Sequence, residues 1–491
     1  MIKLGFIKVS FKDIQNNDYS LSASLYQGSE VNYSFYKKLS EFIVSTQKGN
    51  EPGSKFYTED KTFRFIRTSN IDENSFLLNE DLCIGIANKV FKEHKLEKEQ
   101  ILMVKDATLG KVAMLDKDYP NYMLCGGIHS LTCDFPYYLF AILQHSCFKE
   151  NFEKKIPRGS TFRHAGDRYL DFDVPLPNDN NEEVITFVEN LMRSAFLKEV
   201  LIKEKISQIN QLIYCELNFE GFDDINNQKF PRIKEISVKN KLYAGYYSKK
   251  TKFIKDLIFS YKKGYFFIDK KNIKSGFTPS KKIGPVEDNS LKFNWITPTN
   301  INELGIVYLP SSIEFDYKKN NLKKNACLII NRTSKKVNGE SGKFVGISSF
   351  YDIGLFNEGQ HNQGIYRVEN YDDIDLIVLV SLLNHPLYRE LFGEISLGSK
   401  MKEIKIEDLI NIPFPNFDLS LKKKIKDLYV TREKYDFVNL NNENFLEKDS
   451  VWCKKVGVLD LYIYLQRQKT FINHIVNMIY EGEDIKIDYS F

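Results

Sequence analysis

The sequence is poor in the residues that most metal, redox and hydrolytic chemistry needs. Its 491 residues include 7 histidines, 7 cysteines and 2 tryptophans. The cysteines (Cys83, Cys125, Cys133, Cys147, Cys215, Cys327, Cys453) are scattered, odd in number and never form C-x-x-C. A disulfide framework or a structural zinc site is therefore not expected, and a reducing cytoplasm fits best. The histidines (His94, His129, His145, His164, His361, His385, His474) include no pair at metal-ligand spacing. No apolar run reaches the roughly 18 residues that a membrane span needs. Met1 to Ser10 carries Lys3 and Lys8 and no apolar core, unlike a signal peptide. Also missing are G-x-x-x-x-G-K-[ST], a G-x-G-x-x-G after a strand, H-E-x-x-H and G-x-S-x-G. There is no Pro-Pro pair, hence no Asn/Asp-Pro-Pro-aromatic signature of an amino-methyltransferase. Pairs such as Asp269 with Lys271 arise by chance in any chain rich in Lys and Asp and do not make a nuclease. No charge dominates: Lys+Arg 69 against Asp+Glu 65 gives +4. The lean towards Lys, Asn, Ile, Phe and Tyr follows A/T-rich codons, so only local clustering of lysine carries information.

What is present is an ordinary globular composition, 42% hydrophobic and 27% charged, at a length that suits about three domains. The chain also contains itself twice. Leu21–Tyr26 faces Leu242–Tyr247, Gly49–Pro52 faces Gly276–Pro279, and Phe65–Ile71 faces Trp295–Ile301. Gly159-Ser160 faces Gly398-Ser399, and Val174–Asn178 faces Ile412–Asn416. The five matches keep their order with a slowly drifting offset. That period is far above the solenoid range and implies a duplicated domain.

Each repeat begins with short apolar runs separated by polar turns, such as Phe63 to Ile66, Ile101 to Val104, Cys327 to Ile330 and Lys343 to Ile347, which read as strands. Helical stretches follow at Tyr137 to Phe152 and at Ile374 to Phe392, the second with an internal Pro386. Then come the Gly-Ser turn, a proline-bracketed apolar run and a long helix. In the first half Val188, Met192, Ala195, Glu199, Ile202, Ile206, Ile209 and Ile213 alternate steps of four and three, a heptad seam. Val458, Leu461, Leu465, Gln468, Ile472, Ile475 and Ile479 form a second seam. The expected fold is therefore mixed α/β (α+β): duplicated globular domains, each followed by a long coiled-coil-like helix, with pseudo-twofold architecture and the helices paired as a rod.

Positive charge is clustered locally. Lys249 to Lys282 holds eleven lysines against Asp256 and Asp269, with aromatics interleaved, and ends in Lys281 and Lys282. Arg332, Lys335, Lys336 and Lys343 follow, and Ser399 and Lys400 mark the second Gly-Ser turn. In the first half Lys154, Lys155, Arg158, Arg163 and Arg168 surround Gly159-Ser160-Thr161, while Arg64, Arg67 and Lys105 are further candidate contacts. Basic patches are the electrostatic footprint of nucleic-acid binding, and the guanidinium fork suits phosphate and guanine edges.

At this point the chain resembles the specificity subunits of type I restriction–modification systems. The motifs that carry the likeness are Phe65–Ile71, Thr108–Val112, Pro157–Thr161 and Val174–Pro177, with their second-half counterparts, and the tail Asn473–Tyr480. The resemblance spans nearly the whole chain. It implies target-recognition domains at residues 1–180 and 219–417, a first spacer helix at 181–218, and a second helix region with a C-terminal helix at 418–491. Each domain would read one half of a bipartite site in double-stranded DNA. The helices would dock two N6-adenine methyltransferase subunits through Val188, Met192, Ile202, Ile206, Ile209, Leu461, Leu465, Ile472, Ile475 and Ile479. S-adenosylmethionine would then be bound by that partner, with no cofactor in this chain and no catalytic role of its own; a restriction or translocase subunit is a further partner of such systems. Two departures stand out. The second helix is interrupted by the polar segment Asn439 to Ser450, and the second globule has Thr297 in place of Arg67 and an insertion between Ser334 and Gly342. The alternatives are a modification-only system and a scaffold whose duplicated domains bind proteins.

Overall fold

Buried apolar runs of three to six residues, each closed by a polar turn, build small sheets around two cores. The structure is a computed structural model. It describes residues 11, 35–106, 108–155, 166–178, 181–220, 222, 225, 243–278, 293–302, 304–307, 311–313, 321–334, 336–337, 340–341, 344–398, 401–436 and 438–491. Two compact units result: Met1–Leu201 with Lys434–Lys455 and Tyr464–Phe491, and Ile202–Glu433 with Val456–Ile463.

The strands of the first unit are β1 (Tyr36–Lys38), β2 (Ile43–Lys48), β3 (Tyr57–Thr58), β4 (Arg64–Ile66), β5 (Ile84–Ile86), β6 (Ile101–Val104), β7 (Val112–Met114), β8 (Tyr122–Leu124), β9 (Ile128–Cys133) and β10 (Asp173–Pro175). One antiparallel sheet has the order β2-β9-β6-β7, a second β3-β5-β4-β8 with β4 and β8 parallel, and β1 pairs with β10. All four residues of β6 are buried, as befits an inner strand covered on both faces. Phe65, Ile66, Leu102, Val104, Met123 and Leu124 lie at the centre of the core. Helices α1 (Pro136–Gln144) and α2 (Ser146–Lys155) follow β9.

The second unit repeats this plan. Its strands are β11 (Tyr265–Phe266), β12 (Ile273–Ser275), β13 (Phe293–Ile296), β14 (Ser311–Ile313), β15 (Ala326–Ile330), β16 (Arg332–Thr333), β17 (Lys336–Val337), β18 (Glu340–Ser341), β19 (Ser348–Tyr351), β20 (Gly359–His361), β21 (Ile365–Val368), β22 (Lys402–Glu403) and β23 (Phe414–Pro415). The sheet β12-β21-β15-β19 reproduces β2-β9-β6-β7, and β14-β13-β20 reproduces β5-β4-β8, including the parallel pair. The pair β11–β23 reproduces β1–β10. Between the long helices α3 (Glu182–Leu217) and α9 (Val458–Glu481), the chain forms α4 (Lys249–Phe259), α5 (Asp373–Asn384), α6 (Pro386–Ile395), α7 (Leu419–Tyr429) and α8 (Phe445–Lys455).

The duplication extends to single hydrogen bonds. The Gln144 side-chain amide donates to Val112 O at 3.1 Å, and that of Asn384 donates to Ser348 O at 2.7 Å, each tying the end of a helix to the start of a strand. Each expected helix over Tyr137–Phe152 and Ile374–Phe392 is in fact two helices. The break falls at His145 and at His385, whose backbones are extended and whose Nδ1 atoms accept the N–H of Cys147 and Leu387. A histidine at that place caps the following helix, and Pro386 reinforces the break because it has no N–H to continue the earlier one. The expected strand over Lys343–Ile347 is also corrected: a turn with Gly346 at φ +85° occupies 344–346, and the strand is Ser348–Tyr351. Gly110 is its counterpart at φ +77°. A Cβ at Gly346 would lie 2.4 Å from the Phe392 ring, whereas one at Gly110 would lie 3.8 Å from the Phe152 ring. Both alanine variants pay the positive-φ strain, but Gly346→Ala adds a clash with a buried aromatic. Gly346→Ala should therefore lower the denaturation midpoint clearly more than Gly110→Ala; equal losses would place the cost in the backbone angle alone.

Both heptad seams are buried, apart from half-buried Ile206 and Glu199. In the first unit α3 and α9 run in opposite directions, since Asn178 meets Gly482, Phe187 meets Phe471 and Ser194 meets Gln468. Both polar seam positions make hydrogen bonds. The Gln468 amide donates to Leu191 O at 2.7 Å and Ser194 Oγ at 2.8 Å, and the Glu199 carboxylate accepts from Phe76 N–H at 2.9 Å and Lys469 Nζ at 3.1 Å. In the second unit Ile202, Ile209, Ile213, Val458 and Leu461 are buried. The interruption before α9 is real: α7 ends at Tyr429, and α8 lies between it and α9.

Candidate nucleic-acid interface

In the first unit, loops from several strands converge where β4 and β6 end and β9 begins. β4 stops at Ile66, and Arg67 enters a tight turn that buried Asn70 fixes, its Oδ1 accepting the Arg67 N–H at 2.7 Å. Cys125 donates its N–H to Ile66 O at 2.8 Å and Lys105 donates its own to Gly127 O at 2.9 Å. A Cβ on Gly127 would lie 3.2 Å from Thr68 Cγ2 and 3.4 Å from Asp106 Cβ, so these loops touch. Asn50 bridges Cys125 from the end of β2, where Lys48 pairs with Asp167 at 2.7 Å. Arg67, Lys105 and Lys48 thus stand at one end of the unit, with Glu51, Asp106 and Asp167 among them.

Beneath these charges lies His129, 1% exposed, its Nδ1 sharing a hydrogen bond with Tyr169 Oη at 2.6 Å. Burial, and then the Lys105 charge, push its imidazole down to about 4, so the ring is neutral at pH 7. Its Nε2 is buried with no hydrogen-bond partner among the described residues, and the same holds for Arg67 Nε. Two unmatched polar atoms at the end that carries the loop cations give this end spare hydrogen-bonding capacity.

The second unit builds the same end from different residues. Thr297 takes the place of Arg67, its N–H held by Asn300 Oδ1 at 2.8 Å. Gly364 sits against Pro298 and Arg332 O as Gly127 sits against Thr68 and Asp106. The hairpin here is longer: Gly110 N–H closes on Val104 O across a short loop, whereas Gly346 N–H closes on Ile330 O across a segment that contains β16, β17 and β18. The insertion expected between Ser334 and Gly342 is this β17–β18 hairpin. One scaffold therefore presents arginine and lysine in one copy, and threonine, Arg332 and an added hairpin in the other.

Arg64 is half-buried at the start of β4, donating to Tyr122 Oη at 2.9 Å with its guanidinium 5.5 Å from that ring. Arg168 is exposed on a short turn next to Asp167. Lys154 and Lys155 end α2 and Lys336 lies on β17; their side chains lie outside the described residues, as do Arg158, Gly159, Ser160, Thr161, Arg163, Lys281, Lys282, Lys335, Lys343, Ser399 and Lys400. Part of the charge in the Lys249–Lys282 cluster is matched by carboxylates. Lys250 pairs with Glu390 at 3.0 Å, Lys263 with Glu216 and Asp418 at 2.8 Å, and Lys271 with Asp269 at 2.8 Å. Those two carboxylates hold the Lys263 ammonium above its ordinary range.

Sequence reasoning missed His129, Asp167 and the Asn70/Asn300 turn lock; the shared asparagine in Phe65–Ile71 and Trp295–Ile301 was the available signal. Among the described residues no group of three or more His, Cys, Asp or Glu side chains is arranged to hold a metal ion, and no helix is long and apolar enough to cross a membrane.

No protein-family model matches the chain, and no curated protein matches it. Among solved structures it is similar to the S subunit of a type I restriction-modification system from M. genitalium, at 10% identity and TM-score 0.42, over 94% of this chain and 99% of that one. It is also similar to the HsdS subunit from Thermoanaerobacter tengcongensis, at 13% identity and TM-score 0.28, over 92% and 97%. A chain from a structure on complex assembly and conformational transition of the type I R-M system follows at 12% identity and TM-score 0.27, over 92% and 98%.

Proposed function

We propose that the chain is the DNA-specificity subunit of a type I restriction–modification system. Each unit reads one half of a bipartite duplex site, and the paired helices dock N6-adenine methyltransferase subunits, which bind S-adenosylmethionine and carry out the chemistry. The observation that supports this most is the duplicated frame with unlike reading ends, Arg67 and Lys105 in one copy and Thr297 and Arg332 in the other. A common scaffold holds loops in register, and the side chains on those loops differ as two different half-sites require. The protein works in the cytoplasm, beside the DNA it marks.

Exchange of Asn50–Asp167 for the equivalent part of a relative, with the methyltransferase co-expressed, should change one half of the methylated sequence in long-read methylation mapping. A change in both halves would defeat independent reading. Loss of salt-dependent binding to random duplex DNA would instead favour the protein scaffold.

A further inference from the structure

Beside the reading end of the first unit lies a hollow of about 500 Å³ formed by Lys55, Phe56, Tyr57, Thr58, Ala87 and Lys89. Its residues come from the turn before β3, from β3 itself and from the turn after β5. The two ammonium groups are held in a particular way. Lys55 Nζ is 5.1 Å and Lys89 Nζ 5.2 Å from the centroid of the Phe56 ring, so both are positioned by its π-face. Among the described residues no carboxylate lines the hollow. Elsewhere in this unit lysines do find carboxylates, as Lys38 does with Asp173, Lys48 with Asp167 and Lys117 with Glu80.

Tyr57 joins the hollow to the reading end. Its ring packs 5.8 Å from that of Phe65, which lies on β4 two residues before Arg67, and its phenol is raised by burial and then by Glu51 while the Arg67 charge opposes the rise. Two cations on an open, partly aromatic floor suit an anion with flat or apolar parts. The two turns that line the hollow, Ser54–Phe56 and Asn88–Val90, are single turns of three residues, too short for the aligned N–H groups with which a long helix grips a compact phosphate ligand. An extended strand with phosphates spaced along it fits better than a small phosphorylated metabolite.

We propose that the Lys55–Phe56–Lys89 hollow is a sequence-independent contact for the DNA backbone. The two ammoniums take phosphates of the strand that runs on past Arg67, and Phe56 keeps them in place and meets the sugar edge. The inference rests on the DNA-recognition reading and adds a second contact to it, one that positions the duplex without reading it.

The test measures affinity of the full chain for random duplex DNA against salt. Each phosphate contact contributes a slope of about 0.9 in log affinity against log salt. Lys55→Ala/Lys89→Ala should lower the wild-type slope by about 1.8 and weaken binding of every sequence alike, and Lys55→Arg/Lys89→Arg should restore it. Phe56→Ala should weaken binding with less change in slope. The double variant carries surface changes only, and its circular dichroism spectrum should match wild type. Salt-dependent wild-type binding with an unchanged slope and affinity in the double variant would overturn this contact and leave the recognition reading standing. No salt-dependent binding by the wild type would overturn both. A double variant that keeps its DNA slope but no longer binds an acidic protein would assign the hollow to that partner and overturn the proposal.

Discussion

Lys198→Met is expected to destabilise the first unit by about 3–5 kcal/mol, among the largest effects open to a single substitution outside the apolar core. Lys198 is fully buried and Asp449 is 1% exposed at the side chain, with Nζ and Oδ1 2.6 Å apart. Lys198 Nζ also donates to Ser194 Oγ at 2.7 Å, and Ser194 Oγ donates to Asp449 Oδ2 at 2.8 Å. Tyr435 Oη donates to Asp449 Oδ1 at 2.9 Å. Burial, followed by the charge and hydrogen bond of Asp449, holds the Tyr435 phenol far above its ordinary range, and burial pushes the neighbouring Cys453 thiol up to about 12; both stay neutral donors. A buried pair of this kind contributes little against an apolar replacement of equal volume, because desolvation offsets the attraction. Removing one partner, however, strands the other charge. Asp449→Asn should accordingly cost a comparable amount, and Lys198→Met/Asp449→Leu should recover part of the loss despite leaving Ser194 and Tyr435 short of partners. Urea denaturation of the full chain would show this as shifted midpoints. A Lys198→Met protein as stable as wild type would mean that the carboxylate finds water or another cation, and the network would lose its structural role.

That network was not legible in the sequence, and the reason is physical. Lys198 sits on α3 between seam positions, in a chain full of lysine, while Asp449 lies in the polar segment that interrupts the second seam. Nothing local says that either is buried; burial is fixed by α3, α8 and α9 meeting. The seams themselves were legible, because a heptad pattern depends only on near neighbours along the chain. So was the duplication, since matched turns such as Arg67–Asn70 and Thr297–Asn300 keep the same capping asparagine. The helix breaks at His145 and His385 were hidden for a different reason. Apolar residues continue on both sides, and a histidine acting as a cap is not distinguished in sequence from a histidine inside a helix. Of the candidate DNA contacts, Arg67 and Lys105 come together because they end strands of adjacent sheets. Arg64, only three residues before Arg67, instead packs on Tyr122, a difference set by its place at the other end of β4.

Stability is expected to fall between about pH 6.5 and about pH 4, before most carboxylates titrate. Three buried histidines set this window. His129, His361 and His385 are each pushed down to about 4, in every case chiefly by burial, with Lys105 adding for His129 and Arg367 for His361. His94 and His145 are lowered for the same reason. The sign follows from which state binds protons. In the unfolded chain a histidine titrates near 6.5, whereas in the folded protein these rings stay neutral until about 4. Below pH 6.5 the unfolded state therefore takes up protons that the folded state does not. Each such ring then lowers stability by about 1.4 kcal/mol per pH unit, levelling off near the folded value. The stabilising contribution is complete above pH 6.5 and gone below about 4. Carboxylates held below their ordinary range, such as Asp167 beside Lys48 and Asp418 beside Lys263, act at still lower pH and do not blur the upper part of the window. His385 is the sharpest case. Its Nδ1 caps α6 by accepting the Leu387 N–H at 3.2 Å, and its ring also hydrogen-bonds the Asn210 backbone on α3. Protonation forces the Nδ1 acceptor to become a donor facing an N–H, so the cap is lost with the neutral ring. Urea midpoints measured at pH 7.5 and pH 5 should show a clear fall for the wild type. His385→Asn, which retains a capping acceptor, should be less stable at pH 7.5 yet lose less on acidification. A midpoint that stays flat from pH 7 to pH 5 would mean that these rings are hydrated or already charged in the folded protein.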